Sequence, residues 1–107
     1  MATALNTFKS VALDITTTPG VAYTTPFDAT SIILLAQVTN VGNVDANVTV
    51  YSSVNGNTEL AKDFTIPVGD AASVLTGKLV LEPYATISAY ADANAVLKMT
   101  LSVLETR

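Results

Sequence analysis

The side chains best suited to chemistry are nine carboxylates, at Asp14, Asp28, Asp45, Asp63, Asp70, Asp92, Glu59, Glu82 and Glu105. A pair of them held at a fixed separation could act as acid and base on a glycosidic bond. Most, however, stand beside turn residues or at the ends of extended segments, where aspartate caps backbone or meets solvent. Histidine, cysteine and tryptophan are absent. That removes the commonest general base, the soft metal ligands, and every Ser-His or Cys-His nucleophile. The chain is therefore expected not to be an enzyme, and no residue is assigned a catalytic role.

Calcium needs only oxygen ligands. Asn40, Asn43, Asp45 and Asn47 form one oxygen-rich stretch and Asp92-Ala93-Asn94 a second. Neither has the spacing of a calcium loop, and neither offers an acidic residue placed to be bidentate. Such residues also fold turns by bonding their own backbone, which is the expected role. No metal or cofactor is expected. The five glycines, at 20, 42, 56, 69 and 77, are dispersed and form no phosphate-binding loop. Asn47-Val48-Thr49 fits a glycosylation acceptor, without a secretory context to support it.

The aromatic residues are Phe8, Phe27, Phe64, Tyr23, Tyr51, Tyr84 and Tyr90. Tyrosines on a sheet face could stack on sugar rings, which would make a carbohydrate-binding module. The plainer expectation is that the phenylalanines fill the core while the tyrosines ring it with their hydroxyls in water.

Charge excludes other partners. Lysine and arginine occur only at Lys9, Lys62, Lys78, Lys98 and Arg107, and the net charge is −4, so no basic stripe exists for nucleic acid. The longest apolar run, Ile32 to Ala36, is five residues, against roughly 20 for a helix that crosses a bilayer. The N-terminus has no charged start and apolar core of a signal peptide. A soluble protein made in a cytoplasm is expected. Only 13% of the 107 residues are charged and half are apolar. That composition argues against disorder and suggests that a partner covers some apolar surface.

The elements that must position these residues are strands. Leu97, Met99, Leu101 and Val103 alternate with Lys98, Thr100 and Ser102, the pattern of a half-buried strand. In Ser31 to Asn40, Ile32, Leu34, Ala36 and Val38 are expected on one face and Ile33 and Leu35 on the other, marking a central strand. Turn residues recur along the chain. The best hairpin is Asn55-Gly56, between Val48–Tyr51 and Leu60–Ile66. Strands are expected near 7–16, 20–25, 31–40, 46–53, 58–66, 71–75, 78–81, 85–91 and 96–105. The fold class is all-β, a single antiparallel β-sandwich (jelly-roll or Ig-like) of about eight or nine short strands. Residues 1–107 form one domain, with 1–9 as a possible extended arm and Leu5 to Ile15 as a strand for exchange or docking.

Three stretches carry a resemblance. Ser31 to Asn40 follows the motif Tyr23-Thr-Thr-Pro26; Leu60 to Pro67 follows the Asn-Gly turn; Gly77 to Glu82 precedes the closing Leu101 to Glu105. From about residue 8 to 105 they resemble small β-sandwich virion proteins of tailed bacteriophages, including marine and cyanobacterial phages. The resemblance implies a many-copy virion structural protein: a capsid decoration (cement) protein on the shell, or a tail, neck or baseplate adaptor or fibre. The implied partners are the major capsid protein or other virion subunits, together with further copies of the chain as a homotrimer. The implied location is the virion, assembled in the host cytoplasm. The family offers no catalytic residues to carry over.

Overall fold

The computed structural model describes residues 6–53, 56–75, 77–94 and 96–107. These form nine strands: β1 (Asn6–Ile15), β2 (Gly20–Thr24), β3 (Thr30–Asn40), β4 (Ala46–Ser53), β5 (Asn57–Ile66), β6 (Ala71–Ser73), β7 (Leu79–Leu81), β8 (Thr86–Ala91) and β9 (Leu97–Thr106). Each expected strand is present, with ends moved by one or two residues. The expected arm meets this directly: residues 6–9 belong to β1, paired with Val103 to Thr106 on β9, and residues 1–5 lie outside the described residues.

One sheet runs β1-β9-β3, with β6 and β7 sharing the far edge of β3; the other runs β2-β8-β4-β5. All pairings are antiparallel. Apart from the β4–β5 hairpin and the β6–β7 step, every connection crosses between sheets. This order is the jelly-roll form of the sandwich, not the Ig-like one. At the β4–β5 turn Gly56 takes φ of 114°, which a side chain resists; Asn55 lies outside the described residues.

Alternation explains the core. On β9, Leu97, Met99, Leu101 and Val103 are all buried, facing Val48, Val50, Ile87 and Ala89 of the other sheet. On β3 simple alternation fails. Ser31 and Ile33 are buried, but so are Ala36, Val38 and Asn40, because the pairing with β9 shifts between Ile33 and Leu35. A bulge adds a residue there and moves the inward set from odd to even positions. Ile32 and Leu34 thus face outward with Leu35, contrary to the face expected from period two. Deep packing extends to the loops. A Cβ on Gly42 would clash with the Val96 side chain, so this glycine lets the 41–45 loop close on Val96.

The aromatic expectation fails for the phenylalanines and for Tyr23, whereas Tyr51, Tyr84 and Tyr90 do lie at the rim. Phe8, Phe27 and Phe64 are 74%, 71% and 42% exposed, while Tyr23 is buried. Val, Ile, Leu, Met and Ala side chains, with the ring of Tyr23, fill the space between the sheets, and the three phenylalanines lie outside it.

Candidate functional site

The inward alternation of β9 does not stop at Val103. It continues to Glu105, whose side chain is 1% exposed. A buried carboxylate must be hydrogen-bonded or paired. Here the Tyr23 hydroxyl donates to Glu105 Oε2 at 2.5 Å, and the Ser31 hydroxyl lies 2.6 Å from the Tyr23 oxygen, donating to it. Lys9 Nζ lies 3.2 Å and Arg107 Nη1 3.7 Å from Oε1, and Arg107 Nε also pairs with Asp28 Oδ2 at 3.0 Å. Burial alone would raise the Glu105 pKa. Hydrogen bonds from Tyr23 and Lys9, with the charges of Lys9 and Arg107, outweigh it and hold the carboxyl below its usual range. The Tyr23 hydroxyl is pushed up to about 12, first by burial and then by its bond to Glu105.

This cluster ties together β1, β2, β3, β9 and the β2–β3 loop. It holds two carboxylates, Glu105 and Asp28, both engaged: Tyr23 bonds Glu105 Oε2, Oε1 meets only the ion-pair partners Lys9 and Arg107, and Asp28 takes Arg107 Nε. Its chemistry is that of a fastener. Glu105 lies at a strand end, as expected of most carboxylates, but it is buried where a solvated or capping role was expected; extending the β9 alternation by one more pair would have found it. The other tyrosine expectation also fails at this point: the Tyr23 hydroxyl is in the core, not in water.

The remaining candidates are dispersed. Asn40 Nδ2 donates to the carbonyls of Val44 and Ile66, and its Oδ1 accepts from Gly42 N–H. Asp45 accepts from Val68 N–H, Asp92 from Asn47 N–H, and Asn94 from Thr17 N–H. Only Asn40, through Val44 and Gly42, makes the local turn bonds expected of such residues; Asp45, Asp92 and Asn94 instead tie together loops distant in sequence. Asn47 itself takes the Thr65 hydroxyl. Asp14 pairs with Lys98 at 3.7 Å on an exposed sheet face. Glu59, Lys62, Asp63, Asp70, Lys78 and Glu82 are exposed, and Asp63 has φ of 49° in β5. Among the described residues no three acidic side chains gather as metal ligands would. Tyr51 and Tyr90 form a half-buried pair, centroids 6.2 Å apart and tilted by 58°, while Tyr84 projects from the β7–β8 loop.

What the fold displays is an apolar row. Phe8 pairs with Leu104, Leu104 with Ile32, and Ile32 with Val80. All four point away from the core, so the row crosses β1, β9, β3 and β7, about 14 Å at the usual strand spacing. Phe8 and Val80 are largely exposed, and Leu34 and Leu35 adjoin the row where the bulge turns them outward. At the same end, the Phe27 and Tyr84 loops are laced together: Tyr84 N–H donates to Thr25 O, and Thr25 N–H donates to Ala85 O. Fully covering a large apolar side chain contributes roughly 1.5–3 kcal/mol. Several such side chains on a firm frame make a contact surface. Sequence reasoning assigned these residues no such role, because which outward residues align depends on strand register.

No protein-family model matches the chain, and no curated protein sequence matches it. Solved structures do resemble it in fold. A chain from Bacillus endospore appendages, described as a family of disulfide-linked pili, superposes with a TM-score of 0.55 at 12% identity, over 94% of this chain and 86% of that one. A chain of the IBDV viral particle, reported in the context of icosahedral virus evolution, gives 0.60 at 7% identity, over 96% of this chain but only 31% of that one. At such identities the likeness is one of fold: the chain is an all-β sandwich similar to structural proteins of a virus particle and of a pilus.

Proposed function

We propose that this chain is a non-enzymatic virion structural subunit, a decoration (cement) protein of a tailed-bacteriophage capsid that steadies the shell through protein–protein contacts. The observation that carries the reading is the exposed row Phe8–Leu104–Ile32–Val80, fixed to a core that holds no phenylalanine. The motif resemblance to phage virion proteins supports it, as does a jelly roll shared with a capsid chain. The pilus likeness supports self-assembly in the same sense. Because these 107 residues hold no cysteine, copies would associate without disulfides. The trimer implied by the resemblance belongs to this reading, as does location on the virion.

Co-sedimentation with purified capsid shells tests it. Saturable binding that is lost on Phe8→Ser supports cement. Binding only to tails or necks would move the subunit to an adaptor role, and binding to neither would refute the virion reading. For the carbohydrate-binding alternative, Tyr23 is no longer available for stacking, since it is buried.

A further inference from the structure

Sheet edges expose unpaired N–H and C=O groups, and proteins normally blunt them. Three of the edges here are blunted. β5 has two register shifts, a residue at positive φ in Asp63, and the charges Glu59 and Lys62. β2 is five residues long, carries its own register shift, and is flanked by Pro19 and Pro26. The β6/β7 edge is two three-residue pieces. β1 shares only the charges, Lys9 and Asp14, each paired within its own sheet, and has neither proline nor register shift. It runs ten residues without proline, pairs with β9 in unbroken register, and among the described residues has no strand on its outer side.

We propose that the outer edge of β1 pairs with β1 of a second copy, antiparallel about a two-fold axis normal to the sheet. Charge favours this occupant. β1 carries only Lys9, turned inward to Glu105, and Asp14, turned outward to Lys98. The axis keeps each residue on its own face, so opposed residues share parity. The two registers with greatest overlap centre on Ser10 or on Val11. In the first, Lys9 meets Val11 and Asp14 meets Asn6; in the second, Lys9 meets Leu13 and Asp14 meets Phe8. Neither opposes like charges. The first sets Ser10 against itself and Ala12 against Phe8, and the second sets Ser10 against Ala12; both Ser10 and Ala12 are exposed. Continuing the sheet across the axis satisfies the free backbone groups of both copies. The contact is a property of the isolated chain and does not rest on the virion reading.

The absence of cysteine gives a silent background for the test. S10C/A12C should oxidise to a covalent two-chain species, because directly opposed strand residues lie about 4.5–5.5 Å apart. T100C, on the same outer face but one strand inward, should not cross-link. In a second arm, S10K/A12K opposes lysines in either register and should weaken dimerisation at least tenfold by sedimentation. Mixing it with S10E/A12E should restore the two-chain species. Absence of the cross-link, equal cross-linking through T100C, or a lysine variant that associates as the wild type does would each overturn the proposal.

Discussion

The Tyr23 hydroxyl donates to Glu105 Oε2 at 2.5 Å, joining residues 82 positions apart inside the core. One comes from the edge strand of one sheet and the other from a central strand of the opposite sheet. The bond is therefore a clamp across the sandwich, beside the end that carries Phe8, Phe27 and Tyr84. A hydrogen bond to a charged group contributes about 1.5–3 kcal/mol. Y23F keeps the ring and loses the donor, so it should destabilise the fold by about that amount in urea unfolding. A change below about 0.5 kcal/mol, the range of ordinary surface substitutions, would show that the clamp is not a stabilising contact.

The same pair sets two pH windows. The folded-state pKa of Glu105 is depressed, so its contribution is present above the unfolded carboxyl value and lost as pH falls through the folded one. Tyr23 is raised from 10.0 to about 12, so its contribution is full below pH 10 and lost as pH rises toward 12. Stability measured against pH should show an alkaline loss in the wild type that is reduced in Y23F. Identical alkaline limbs would contradict the assignment.

The β3 bulge makes a prediction that plain alternation reverses. Ile33 is fully buried and Leu34 points outward, so I33A should cost about 2–4 kcal/mol and L34A much less. Equal costs, measured by equilibrium unfolding, would place the register shift elsewhere.

The strands were legible because turn residues punctuate them and β9 alternates without interruption from Leu97 to Val103. Bulges were not, since a single inserted residue at Leu34 leaves no mark in composition. The placement of phenylalanine was misread because hydrophobicity alone says "inside", whereas the core is filled by Val, Ile, Leu, Met and Ala with the single ring of Tyr23. The row of Phe8, Leu104, Ile32 and Val80 is invisible in sequence for another reason: its members lie 24 to 96 residues apart, and only strand register aligns them.

Phe8 separates assembly from folding. At 74% exposure its replacement by serine should change stability by less than about 0.5 kcal/mol. Thermal unfolding of the purified chain should therefore be unmoved while shell binding falls. A stability loss as large as that of I33A would mean that Phe8 serves the fold instead.

The central claim is that this chain acts through its outer apolar face. Reconstruction of the purified phage particle by electron microscopy tests it most directly. The account predicts a jelly roll of this size on the capsid, with Phe8, Val80 and Phe27 covered by a neighbouring subunit. A particle lacking the chain, or one carrying it with that face open to solvent, would contradict it.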